Sequence, residues 1–283
     1  MIEKTFNTGL INLNYVEGSS GGLPILFLHG LGGWWQAFHS LIPQLEKDWH
    51  VYALDLRGHG QSDRTESYRI QDYLPDIVSF IINCIKAPTI IFGHSLGGMI
   101  GYMVAADNPE LVKALIIGDS AISMEFLKEL PKDQLIFWRD LARTKSAEII
   151  ISELKNQLIP VPNQKEFSPA YKVLGENNPN FKSLADCLSR LDPETLTSNI
   201  DKFDNTFDNY KIDKLFPIIQ CPVLILQANP ELGGLIRDED VKKALSLLPK
   251  VHHVKINNVG HFLHMQDKES VVNAIVPFME TLS

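Results

Sequence analysis

Ile90-Ile91-Phe92-Gly93-His94-Ser95-Leu96-Gly97-Gly98-Met99-Ile100 reads as a buried strand, a glycine-pinched turn and the first turns of a helix. Its centre, Gly93-His94-Ser95-Leu96-Gly97, has the G-x-S-x-G spacing of a nucleophile elbow. The spacing has a mechanical reason. A serine at the tip of a tight strand-to-helix turn holds a strained backbone, so the residues two before and two after it must be tiny. Gly93 and Gly97 meet that demand, and Gly98 lets the new helix pack closely on its neighbours. The apolar run before and an amphipathic helix after, through Met103 and Ala106 toward Asn108-Pro109, give the motif its context. Ser95 Oγ is then exposed at the C-terminal edge of a sheet. The helix behind it offers positive potential and free N–H groups where an oxyanion would form.

Working outward, Pro24-Ile25-Leu26-Phe27-Leu28 is a continuous apolar run suited to a strand covered on both faces. It ends in His29-Gly30-Leu31-Gly32-Gly33, a glycine-rich loop whose backbone can approach a reacting group. The N–H groups of Leu31 and Leu96 are the expected oxyanion pair, with Gly30 bordering the substrate. Residues 3–6 and 10–16 alternate like an antiparallel hairpin, closed by a turn over 17–22. Residues 36–47 have helical spacing, and 49–54 read as a strand. Asp55 and His59 fall in a polar loop with two glycines and read as structural. A helix starts near 70–72, because Pro75 is tolerated only in a first turn. Residues 111–117 add a strand, and the alternation stops at Gly118-Asp119-Ser120.

From 120 to 216 the pattern is helical, broken by Pro131, Pro160, Pro162, Pro169, Pro179 and Pro193, and no segment alternates like a strand. So long an interruption predicts a helical cap rather than a connection. Alternation resumes with a strand at 222–226, a helix at 238–248, a strand at 251–256 and a helix at 268–282. Strands alternating with helices predict an α/β fold, a mainly parallel central sheet with helices on both faces. Residues 1–119 and 217–283 form its core domain.

The composition is that of a globular protein, 45% hydrophobic and 21% charged. A formal charge of −8 argues against nucleic acid and anionic membranes as partners. Cys84, Cys187 and Cys221 lack metal spacing and are odd in number, which suits reduced thiols in a cytoplasmic protein. Residues 1–9 lack the apolar core of a signal peptide, and no segment approaches the roughly 18 apolar residues of a membrane helix. The expected partner is a small-molecule substrate; monomer and homodimer both remain open.

The elbow, the His-Gly-x-Gly-Gly loop, Asp55-Leu56-Arg57-Gly58-His59-Gly60-Gln61-Ser62, the helical insertion, Cys221-Pro222-Val223-Leu224-Ile225-Leu226 and Gly260-His261 fall in a telling order. Nearly the whole chain outside the cap resembles the α/β-hydrolase superfamily, in its capped branch of small esterases, lactonases and C–C bond hydrolases. The resemblance implies a Ser–acid–His triad and no metal or cofactor. Serine at 95 departs from the haloalkane dehalogenases and epoxide hydrolases of that fold, which carry aspartate there. The implied activity is hydrolysis of a small apolar carboxylic ester or lactone through an acyl-enzyme. C–C bond hydrolysis, cofactor-free perhydrolysis and a non-catalytic ligand receptor are alternatives on the same fold.

His261, after the last strand, is the expected base; His264 shares its helix face, and His94 lines the elbow floor. Two residues compete for the acid. Asp119 ends the strand after the elbow helix, and Glu231 follows the strand at 223–227, with Asn229 and Asp238 behind them. Among the apolar residues of the cap, Phe126, Trp138 and Leu141 are the expected lining above the substrate.

Overall fold

The computed structural model describes residues 2–18, 21–161 and 166–282. Ser19 and Ser20 of the expected turn, and Pro162 of the insertion, lie outside the described residues. The strands are β1 Ile2–Asn7, β2 Asn12–Glu17, β3 Pro24–Leu28, β4 His50–Leu54, β5 Thr89–His94, β6 Val112–Gly118, β7 Leu158–Pro160, β8 Phe167–Pro169, β9 Val223–Ala228 and β10 Val251–Ile256. Eight of them form one sheet in the order β1-β2-β4-β3-β5-β6-β9-β10. β2 runs antiparallel to β1 and β4, and from β4 to β10 every pairing is parallel.

β5 lies in the middle and is buried along its whole length. Its residues alternate between two apolar layers: Ile91 packs with Leu26, Leu28, Leu115 and Ile117 on one face. Ile90 and Phe92 pack with Ile25, Phe27, Ala114 and Ile116 on the other. Two covered faces explain why these strands read as unbroken apolar runs rather than as alternation.

The elbow helix, Leu96–Asp107, differs from expectation. It is buried on every side from Leu96 to Ala106, so its sequence is apolar all round rather than amphipathic. The helix expected over 36–47 is likewise two short turns, Trp35–Phe38 and Ile42–Leu45. Pro43 lacks an N–H and fits only the first turn of a new helix, so it divides the segment. Pro75 sits in the first turn of Leu74–Phe80, preceded by one 3-10 turn, Ile70–Tyr73.

Between β6 and β9 the chain leaves the sheet for a run of helices. Asn178 and Asp192 cap two of them, with Pro179 and Pro193 opening the first turn. This insertion has its own core, including Leu141, Ile150, Leu154, Phe181, Leu188 and Leu196. Two details depart from the sequence reading. β7 and β8 pair as a small antiparallel hairpin, three residues each, too short to leave a period. Phe207, Tyr210, Ile212, Leu215 and Phe216 bury into the main core, not the cap.

Candidate active site

Ser95 has φ 52° and ψ −119°, a conformation strained for any residue with a side chain. The turn is held by Ser95 N–H donating to Gly118 O at 3.0 Å. The glycines have measurable reasons. A Cβ on Gly93 would collide with the Gly97 carbonyl, one on Gly97 with Leu28 O, and one on Gly98 with Ser120 Oγ. On Gly30 it would meet His94 Nδ1 at 2.9 Å and Ser95 Cβ at 3.0 Å, so this glycine lets the loop after β3 press against the elbow.

That loop is fixed by two buried imidazoles. His29 Nδ1–H donates to Gly30 O at 2.8 Å, and its Nε2 accepts from Leu56 N–H at 3.0 Å. His59 Nε2 accepts from Gly32 N–H at 3.1 Å while its Nδ1–H donates to Arg57 O. Burial holds both rings neutral: His59 is pushed down to about 4, and His29 lies well below the usual histidine range. Asp55 accepts from Trp35 N–H, Gln61 N–H and Asn14 Nδ2 and so ties the loops together. Asp55 and His59 are scaffold. The N–H groups of Leu31 and Leu96 donate to no protein acceptor among the described residues. Leu96 opens its helix, where an N–H has no intrahelical partner. Both residues line the cavity that also contains Ser95.

Asp119 and His261 meet. Asp119 Oδ2 lies 2.8 Å from His261 Nδ1. The carboxylate is fully buried and also accepts from Leu235 N–H at 2.8 Å, Ala228 N–H at 3.2 Å and Ile236 N–H at 3.3 Å. Asp119 itself has φ 45°, so two of the site's residues hold strained backbones. A carboxylate on Nδ1–H selects the tautomer whose Nε2 carries the lone pair. His94 Nε2–H donates to His261 O at 2.9 Å and positions the histidine loop from below.

The other acid candidates are elsewhere. Glu231 is exposed in a short 3-10 turn, where its N–H donates to Asn229 Oδ1. Asn229 caps that turn and donates through Nδ2 to Asn257 O. Asp238 pairs with Lys255 at 2.7 Å. The end of β9 and the loop after it therefore donate N–H groups to the Asp119 carboxylate at the end of β6.

The cavity beside Ser95, walled by the sheet edge and residues of the insertion, has a volume of about 270 Å³. Gly30, Leu31, Ser95, Leu96, His261 and Trp138 all line it. Two expected lining residues do not. Phe126 lies under the Arg237 guanidinium at 4.5 Å, and Leu141 is buried in the cap's own core. Leu127, on the helix Met124–Glu129, and Leu130, the extended residue that ends it, take their place. Phe203 and Phe207 also line the cavity and escaped the sequence reading, although their i, i+4 spacing marks a shared helical face.

His264 is fully buried, stacked on Phe38 at 4.9 Å and against His94 at 4.6 Å, and neither ring nitrogen has a partner. Burial pushes it down to about 3, helped by His261. The unfolded chain then binds a proton here that the folded chain refuses. Stability is full above about pH 6.5 and falls as the pH drops toward 3. His264→Phe should flatten the acid side of a stability–pH curve by up to about 1.4 kcal/mol per pH unit. Urea unfolding at pH 5 and pH 7 checks it; an unchanged difference would show that His264 does not titrate on unfolding.

Comparison with known proteins agrees with this architecture. The family model for the alpha/beta hydrolase fold matches residues 24–268. A stretch of 119 residues, 42% of this chain and 42% of the relative, is 36% identical to 2-(acetamidomethylene)succinate hydrolase of Mesorhizobium japonicum. Another, of 111 residues, is 32% identical to mouse epoxide hydrolase 4, covering 38% of this chain and 31% of that protein. The chain thus spans less than half the length of these two relatives. The crystal structure of the enol-lactonase from Burkholderia xenovorans LB400 superposes with a TM-score of 0.74 at 16% identity, covering 98% of this chain and all of that one. No helix among the described residues is long and apolar enough to cross a membrane. With the sheet order, the elbow and a family match over most of its length, the chain belongs to the α/β-hydrolase fold family.

Proposed function

We propose that this protein is a serine hydrolase that cleaves a small carboxylic ester or lactone through an acyl-enzyme on Ser95. The observation that carries the reading is the 2.8 Å contact between His261 Nδ1 and the buried Asp119 carboxylate, in a site whose histidine shares a cavity with Ser95. Ser95 Oγ attacks the acyl carbonyl as His261 Nε2 takes its proton. The oxyanion accepts hydrogen bonds from Leu31 N–H and Leu96 N–H, and His261 returns the proton to the departing alcohol. A water activated by His261 then releases the acid. Asp119 keeps the tautomer and stabilises the imidazolium.

The serine at 95 argues against epoxide opening, despite the partial match to an epoxide hydrolase. C–C bond cleavage and perhydrolysis would use the same three residues; a ligand receptor would leave them idle. Turnover of 4-nitrophenyl acetate, butyrate and longer esters, with and without a fluorophosphonate, tests the proposal. No Ser95-dependent turnover and no labelling would refute it.

The mostly apolar walls predict a chain-length preference worth about 0.8 kcal/mol, or roughly fourfold in kcat/KM, for each buried methylene. Trp138 packs over Gly32 and lines the cavity. Trp138→Ala should therefore change the ranking of acyl chains more than the turnover of acetate. An unaltered ranking would assign Trp138 to the cap's core alone.

A further inference from the structure

The cavity wall is not wholly apolar: Lys132, Gln134 and Asn199 also line it. Lys132 stands at the start of the cap helix Asp133–Thr144. Its Nζ donates to Ile200 O at 2.9 Å and lies 5.3 Å from the centroid of Phe203, itself a lining ring. Among the described residues no carboxylate pairs with this ammonium. The two acids flanking its contacts are engaged elsewhere: Asp201 with Arg139 at 2.9 Å, and Asp204 with Lys128 at 2.7 Å. A half-buried cation in a mostly apolar cavity favours an anion.

We propose that the substrate carries a free carboxylate, bound by Lys132 Nζ, so that the enzyme prefers acidic esters such as monoesters of short dicarboxylic acids. This rests on the hydrolase reading for its chemistry. The apolar walls take the connecting chain while Lys132 takes the charge. Lys132 is a specificity residue and takes no part in bond breaking.

The test compares 4-nitrophenyl hydrogen glutarate with its neutral methyl ester. The wild type should prefer the acid at least tenfold in kcat/KM, chiefly through KM. The preference should weaken at high salt, as expected for a charge interaction reached by solvent. Lys132→Met should bring the ratio near one, and Lys132→Arg should restore most of it. Should Lys132→Met fold poorly, glutarate itself still decides with wild-type protein. It should inhibit neutral-ester turnover competitively, while pentanol should do so far more weakly. Calorimetry with glutarate on Ser95→Ala protein separates the two proposals. Glutarate binding without any esterase activity would refute the hydrolase reading and keep the anion site. Ser95-dependent turnover with no preference for the acid, or a preference unchanged in Lys132→Met, would refute the anion site alone.

Discussion

Ser95→Ala is expected to lower kcat on a short ester by about 10⁶-fold, the scale seen when a serine nucleophile is removed from an intact triad. The reason is local. Alanine keeps the Cβ that already packs against Gly30, so the turn, with its strained φ of 52°, has no new clash to absorb. Only Oγ is lost. Asp119, His261, Leu31 and Leu96 remain as they were, and a residual rate above that of water, about 10³ to 10⁴-fold, is the share such groups retain. The thermal unfolding temperature should stay near that of the wild type, which separates a chemical loss from a structural one. A fluorophosphonate should label the wild type and not the variant. Labelling that persists in Ser95→Ala, or turnover within tenfold of wild type, would move the nucleophile to another residue.

What the sequence reveals about this molecule depends on how far apart the cooperating residues lie along the chain. The elbow is legible because its residue types fall within five positions, although two of its glycines answer collisions with distant partners, Gly97 with Leu28 O and Gly98 with Ser120 Oγ. His261 is legible because it follows the last strand of a pattern already visible. The carboxylate that meets His261 is a different case. Asp119 on the end of β6, and the N–H groups of Ala228, Leu235 and Ile236 that hold it, come together across more than a hundred residues. No spacing rule distinguishes Asp119 from Glu231 before the sheet brings β6 beside β9. The cap lining fails for a related reason. Helical periodicity puts Phe126, Leu127 and Leu130 on one apolar helix, but the helix ends at Glu129, and the pattern does not say which side meets Arg237 and which meets the cavity. Lys132 was invisible as a binding group because its significance lies in the partners of Asp201 and Asp204.

Asp119→Asn is expected to cost about 10⁴-fold in kcat with little change in KM, by enforcing the wrong imidazole tautomer. The carboxylate accepts from three backbone N–H groups and from His261 Nδ1–H. An amide has one acceptor oxygen, and those backbone donors compete for it. The NH₂ is then turned toward His261 and donates to Nδ1, which must become the acceptor. The proton moves to Nε2, the atom that has to receive the Ser95 proton, and the base is lost without any displacement of the ring. The developing imidazolium also loses its counter-charge. Glu231→Gln, on an exposed turn, changes neither and should stay within about twofold of wild type. The contrast between two equally conservative changes is what makes the experiment decisive. The opposite ranking would make Glu231 the acid through a rearranged loop, and comparable losses below tenfold in both would show that neither carboxylate governs His261.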